Sequence, residues 1–257
     1  MTILCDLDGV IYRGGQAVPG VPDALERLSA ASRSLFFITN NSTRTPEATA
    51  EKISLLTGVE ISGSQVLTSG MAAMTLLEQG DGPVLVVGED GLRSEVSSAG
   101  FDMTDDPALA GAVVVGLLRS LSYDIIRDAM LAVRNGARFI ATNDDSTFPT
   151  EHGLVPGSGA IVAAIAVSAD ATPEVAGKPN TAMRDLIRSR VDGEVWVIGD
   201  RLDTDIAMAI AEPGWRSVLV LTGITSRIEA DAASGVDLVA ADFSEAVDLV
   251  LRHPQPS

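Results

Sequence analysis

Two aspartates close an apolar run near the start of the chain, Ile3-Leu4-Cys5-Asp6-Leu7-Asp8-Gly9-Val10. An apolar run leads into a core, so charge at its end needs a reason. Alternation along a strand puts Asp6 and Asp8 on one side, and open parallel sheets bind ligands at the carboxyl ends of their strands. Two carboxylates held together there repel each other unless a cation sits between them. The arrangement suits metal-assisted phosphoryl transfer, with one aspartate as nucleophile and the other as acid and base. A strand followed by an Asp-Gly turn accounts for the same residues without chemistry, so the rest of the chain has to decide.

Three further segments bear on it. The run Leu35-Phe36-Phe37-Ile38 ends in Thr39-Asn40-Asn41-Ser42. A hydroxyl, amides and backbone N–H groups at the mouth of a helix bind phosphate oxygens without adding charge, although an Asn-rich turn with N-caps reads the same way. Of 18 basic side chains only Lys52 and Lys178 are lysines. Lys52 reads as a solvated residue of a polar helix. Lys178, in Ala176-Gly177-Lys178-Pro179, sits where no regular element holds it and is a candidate for a placed charge. The run Val195-Trp196-Val197-Ile198 ends in Gly199-Asp200-Arg201-Leu202-Asp203-Thr204-Asp205. Asp203 and Asp205 open a helix, where a carboxylate also serves as cap or dipole partner; Asp200 closes the strand itself. The four segments together hold carboxylates enough for a hard divalent cation such as Mg²⁺, which prefers oxygen ligands, together with a phosphate cradle and one lysine.

The elements that must position these residues alternate. Apolar β-rich runs are followed by helical periodicity throughout, which predicts an α/β fold with a parallel sheet. Strands are expected at 2–7, 35–39, 65–68, 84–88, 112–116, 138–142, 194–199, 217–222 and 237–239. Helices are expected near 21–32, 46–57, 70–79, 92–99, 123–135, 158–169, 181–191, 203–211 and 243–252. Linker-like clusters at Gln79-Gly80-Asp81-Gly82-Pro83 and Ser168-Ala169-Asp170-Ala171-Thr172-Pro173 bracket three strands and three helices. We read 81–172 as an inserted small α/β domain and 1–80 with 173–257 as the core. Tandem Gly/Pro linkers of this kind make good hinges. One continuous nine-stranded sheet is the other reading.

Composition excludes several classes. A net charge of −17 repels a nucleic-acid backbone or an anionic membrane. No apolar run reaches the roughly 18 residues of a membrane span. The first residues have no basic segment or cleavage site of a signal peptide, so a cytoplasmic location is expected. Cys5 is the single cysteine and precludes a disulfide framework. His152 and His253, the latter in a Pro-rich tail, are the two histidines, too few for a histidine-rich two-metal site. Neither an Arg-His-Gly motif nor Cys with Arg six residues on is present, so histidine and cysteine phosphatase chemistries are absent.

The Asp-Leu-Asp-Gly, Thr-Asn-Asn-Ser, Gly-Lys-Pro and Gly-Asp-(three residues)-Thr-Asp-Ile segments, in this order, resemble the four motifs of the haloacid dehalogenase superfamily. The insertion, with Ala141-Thr142-Asn143 and the stretch from Pro149 through His152 to Gly159, is similar to the NagD-like branch of p-nitrophenylphosphatase and glycerol-phosphate phosphatase type. The resemblance covers nearly the whole chain and implies a Rossmann-like parallel-sheet core with an α/β cap domain, acting as a Mg²⁺-dependent phosphomonoester hydrolase. It implies that Asp6 forms an aspartyl-phosphate and Asp8 protonates the leaving oxygen and then deprotonates water. Asp6, Asp200 and the backbone carbonyl of Asp8 would hold the metal, supported by Asp205. Thr39, Asn40 and Lys178 would bind the phosphoryl oxygens, with Asn41 beside them.

In the cap, Asn143 to Phe148 are candidates for substrate contact. In the pyridoxal phosphatases of this branch a histidine precedes the loop proline, and Phe148 stands there here. Asp144 and Asp145 in the same loop disfavour a second negative group on the substrate. Glycerol 3-phosphate is therefore the expected small phosphorylated metabolite, with a nucleoside monophosphate or phosphoglycolate as alternatives. A phospho-aspartate receiver protein is the competing class, but receivers are much shorter and carry neither cap nor fourth segment.

Overall fold

The computed structural model describes residues 1–150 and 153–253. His152 and the Pro254–Ser257 tail lie outside them. Chain contacts divide the protein into two compact units, one of residues 1–39, 46–67 and 187–257, the other of residues 40–45 and 68–186. Both Gly/Pro clusters lie inside the second unit.

The first unit is built on a sheet whose order is Leu238–Ala240, Trp215–Val220, Val195–Gly199, Thr2–Cys5, Ser34–Thr39, Val66–Thr68. The first five of these strands pair in parallel. The central strands are buried along their whole length, which is why they read as continuous apolar runs rather than alternating ones. Ile3, Cys5, Trp196, Ile198, Val218 and Val220 point to one face and pack with Phe243, Val247 and Leu25 of the helices Phe243–Arg252 and Val21–Ala30. Leu219 packs with Ile206 and Ala230 in a separate cluster.

The second unit has a four-stranded sheet ordered Glu174–Val175, Arg138–Ala141, Ala112–Val115, Val84–Val87, all parallel. Ala129 and Ala132 of the helix Tyr123–Arg134 and Ile161 and Ile165 of the helix Ser158–Ala169 pack with Val113, Val115 and Phe139. A hairpin of Thr147–Thr150 with Gly153–Pro156 precedes the second of these helices.

Several boundaries differ from the sequence expectation, each for a visible reason. The helix expected at 70–79 covers Ser69–Met74; Asp81 Oδ2 takes the Glu78 N–H at 2.7 Å and turns the chain. The helix expected at 203–211 begins as a π-helical turn, Leu202–Ile206, and becomes α-helical only at Ala207–Ile210. The last strand starts at Leu238 rather than Asp237, whose carboxylate instead accepts from Ser217 N and Oγ at 2.8 and 3.1 Å. The helix Arg227–Ala232 was not expected, although its capping box of Ser226 and Glu229 is a sequence signal. His253 is not a loose tail residue: its Nε2 lies 2.9 Å from Arg216 Nη1 and its ring 5.1 Å from that of Trp196.

The two Gly/Pro clusters are tied together rather than left as free joints. Arg138 Nη1 donates to Leu76 O at 2.6 Å and to Asp81 Oδ2 at 2.7 Å, and its Nη2 donates to Glu174 Oε1 at 2.7 Å. The Arg138 side chain is 28% exposed and that of Asp81 15%, so their charge-assisted bond is screened less than a surface pair; the bond to the half-exposed Glu174 is more open to solvent. Arg138→Ala is expected to cost about 1–2 kcal/mol in urea unfolding and to speed amide exchange around residues 79–83. Unchanged exchange there would show that the clusters are ordered by something else.

Candidate active site

In the first unit, the Asp6 N–H donates to Ile198 O at 2.9 Å just past the end of the first strand. That bond sets Asp6 beside the Gly199-Asp200 end of its neighbour. One carboxylate oxygen from each of Asp6, Asp200 and Asp205 lies within 4.8 Å of the other two, and all three residues are buried. Backbone donors hold the acids in place. Asp200 Oδ2 accepts from Ile224 N at 2.7 Å, its carbonyl accepts from Thr225 N at 3.2 Å, and Asp205 Oδ2 accepts from Arg201 N at 3.2 Å. Arg201 itself pairs with the exposed Asp203, Nη2 to Oδ2 2.8 Å.

Glycine makes the close packing possible. A Cβ on Gly223 would lie 1.7 Å from Asp200 Oδ2, and one on Gly199 would lie 2.2 Å from the Asp205 Cβ.

Asp8 is exposed, in contrast to Asp6. The strand ends at Cys5, so strand alternation no longer sets the direction of Asp8. A turn does. Leu7 O accepts from Ile11 N at 2.9 Å, and Gly9 N donates to Tyr12 O at 2.9 Å, with Gly9 at φ +86°. A short hairpin of Tyr12–Arg13 with Gln16–Ala17 follows. Lys52 Nζ lies 3.5 Å from the centroid of the Tyr12 ring. Lys52 is thus a cation–π partner of the residue that closes the Asp8 turn, not simply a solvated side chain.

In the second unit Asn40 is a hub. Its Oδ1 accepts from Lys178 N at 2.8 Å, and its Nδ2 donates to Lys178 O at 3.2 Å and to Asp145 Oδ2 at 3.1 Å. Its carbonyl accepts from Asn143 Nδ2 at 2.7 Å and from Ser69 Oγ at 2.6 Å. Asn143 is buried and further accepts from Ser158 Oγ at 2.5 Å and Asp145 N at 3.2 Å. Lys178 is 3% exposed. Asn41 closes an Asx turn, its Oδ1 accepting from Thr43 N and Oγ1 at 2.9 and 2.7 Å. Phe148 is half-buried and pairs across the hairpin with Val155. Thr39, buried, ends its strand in the first unit.

The structure therefore assembles Asp6, Asp200 and Asp205 in one unit and Asn40, Asn143 and Lys178 in the other. Sequence reasoning missed the loop Thr222-Gly223-Ile224-Thr225 that cups Asp200. Its signal was present: a hydroxyl and a glycine, Thr222-Gly223, end the apolar run Val218–Leu221.

Residues 3–102 match the family model of the haloacid dehalogenase-like hydrolases, and residues 175–246 match a second, HAD-hydrolase-like model. An acid sugar phosphatase of Staphylococcus haemolyticus is 35% identical over 87% of this chain and 86% of its own. A 5′-nucleotidase of Bacillus subtilis is 37% identical over 87% and 88%. A D-glycerol 3-phosphate phosphatase of Mycobacterium tuberculosis is 38% identical over 91% of this chain, which spans 66% of that protein. Among solved structures, a hypothetical protein of Pyrococcus horikoshii covers 97% of this chain and all of its own, at 39% identity and a TM-score of 0.90. A glycerol phosphate phosphatase of M. tuberculosis in complex with magnesium covers 99% of this chain and 79% of its own, at 35% identity and a TM-score of 0.87.

The chain belongs to the haloacid dehalogenase-like hydrolases. It is a phosphoric monoester hydrolase of the NagD-like kind and acts on small phosphorylated substrates. Mg²⁺, the cofactor of such phosphatases, fits the site: the three clustered groups are all carboxylates, the hard oxygen donors that this ion selects. No described helix is long and apolar enough to cross a membrane.

Gly223→Ala is expected to remain folded by circular dichroism but to lose most of the Mg²⁺-induced rise in thermal midpoint, because its methyl group displaces Asp200. A wild-type rise in this variant would show that the loop does not set the Asp200 position.

Proposed function

We propose that the protein hydrolyses a small phosphate ester whose alcohol portion is uncharged, glycerol 3-phosphate first, through an aspartyl-phosphate on Asp6. The Asp6 carboxylate attacks phosphorus in line and the ester P–O bond breaks. Asp8 gives its proton to the leaving oxygen. It then takes one from the water that attacks the phosphorus of the aspartyl-phosphate, and Asp6 returns as carboxylate. Thr39 and Lys178 bind the phosphoryl oxygens by hydroxyl and ammonium and Asn40 by its backbone N–H, its side-chain amide being engaged by Lys178 and Asp145, while Asn41 fixes the turn that follows Asn40. Asp6, Asp200 and the Asp8 carbonyl, with Asp205 in support, would hold Mg²⁺, which when bound would supply positive charge to offset that of the phosphoryl oxygens. A loose transition state asks little of a weak nucleophile, so positioning and electrostatics account for most of the rate.

One observation carries the substrate reading. The Asp145 carboxylate is hydrogen-bonded to the same Asn40 amide that binds the backbone of Lys178. An acid placed one side chain away from the phosphate-binding lysine repels a second anionic group. A glycerol phosphate phosphatase among the relatives agrees with an uncharged polyol. The inserted segment 81–172, which contains Asn143 to Phe148, is the proposed cap domain and carries this selectivity, with Asn143 fixing Asn40 and the loop. A nucleoside monophosphate is the second reading, favoured by the relative named 5′-nucleotidase and by the half-buried Phe148, whose ring can stack on a base.

Asp6→Asn and Asp8→Asn are each expected to abolish turnover with an unchanged circular dichroism spectrum; substantial activity in purified Asp6→Asn would falsify the mechanism. In a panel of glycerol 3-phosphate, nucleoside monophosphates, phosphoglycolate and pyridoxal phosphate, glycerol 3-phosphate is expected to give the highest kcat/KM with Mg²⁺ and none with EDTA. Asp145→Asn is expected to raise phosphoglycolate relative to glycerol 3-phosphate by about tenfold, the scale of one charge contact of about 1.4 kcal/mol. Phosphoglycolate ranking first in the wild type would overturn the electrostatic argument.

A further inference from the structure

We infer that Thr222 is a positioning residue for the acid–base step: it latches the turn that carries Asp8 to the loop that cups Asp200. The inference deepens the mechanism above and rests on the assignment of Asp8 as the proton donor.

Thr222 Oγ1 donates to the carbonyl of Gly9, the residue after Asp8, at 2.6 Å. The Thr222 carbonyl in turn accepts from the Arg13 guanidinium, on the hairpin that follows the same turn. The bond pair closes a ring from Asp8 through Gly9, Thr222 and Arg13 back to the turn. The adjoining residues of the loop engage Asp200: Ile224 N donates to its Oδ2 and Thr225 N to its carbonyl. Gly9 also abuts this loop. A Cβ there would lie 2.8 Å from Asp200 Oδ2 and 3.0 Å from Gly223 Cα.

Whereas Asp6 is buried, Asp8 is exposed. Its direction depends on the backbone of residues 8–9, and the hydrogen bond from Thr222 holds that backbone from outside the turn. A side chain that must reach the leaving oxygen gains rate from being held there. The latch is tied to the same loop that sets Asp200, so the proton donor and the metal-binding carboxylate share one frame.

The test compares leaving groups. An alkoxide needs the proton from Asp8 as its P–O bond breaks, whereas p-nitrophenolate leaves readily without it. Thr222→Val keeps the shape and removes the hydroxyl; Thr222→Ser keeps the bond. The probes are p-nitrophenyl phosphate and the alkyl phosphate turned over fastest in the panel, and kcat/KM is read because it reports steps through ester cleavage. Thr222→Val is expected to lose about tenfold or more on the alkyl phosphate, a modest part of what a general acid supplies, and less than threefold on p-nitrophenyl phosphate. Thr222→Ser is expected to restore the alkyl rate. Equal losses on both probes, or no loss on either, would overturn the latch. Asp8→Asn run alongside in a single turnover, reading alcohol or p-nitrophenol released per enzyme, separates the two levels. If Asp8→Asn shows no such leaving-group bias, the acid assignment itself fails, and the proposal with it.

Discussion

Mutual repulsion among three buried carboxylates is the constraint on which the first unit turns. Two unit charges at 4 Å repel by about 4 kcal/mol even at an effective dielectric of 20, and Asp6, Asp200 and Asp205 have oxygens within 4.8 Å of one another. The chain accepts this through neighbouring parallel strands in fixed register, Cys5 opposite Ile198, which bring Asp6 beside Gly199 with Asp200 the next residue along. Backbone N–H groups of Arg201 and Ile224 then hold two of the acids. A cation that binds only this folded arrangement stabilises it, so metal affinity and fold stability are two readings of one electrostatic strain.

The π-helical turn Leu202–Ile206 belongs to the same solution. Asp205 bends back to accept the Arg201 N–H, and a regular α-helix would carry that carboxylate elsewhere around the axis. π-turns are rare and occur frequently at functional sites. Here that site is the cluster itself.

Much of this was legible in the residues. Polar groups at the ends of apolar runs marked Asp6, Asn40 and Asp200, because ligands bind parallel sheets at the carboxyl ends of their strands, and a Gly-Lys-Pro setting marked Lys178, one of only two lysines. The alternation of strand and helix gave both sheets. What stayed hidden were features set by contacts far apart in sequence. Asn40 becomes a hub only when Lys178, Asn143 and Ser69 are brought to it. Lys52 looks solvated until Tyr12 is placed beneath it. The Tyr12–Arg13 and Gln16–Ala17 strands are two residues each, too short for any periodicity. Asp237 reads as part of a strand until Ser217 takes its carboxylate. The Thr222–Thr225 loop also ends an apolar run, but it has no charged or amide side chain to draw attention to it.

Arg138 has a consequence for how disturbances spread within the second unit. Asp81 and Glu174, far apart in sequence, meet on its one guanidinium. A displacement that starts at either acid therefore reaches the other through a single side chain, without passing along the sheet between them.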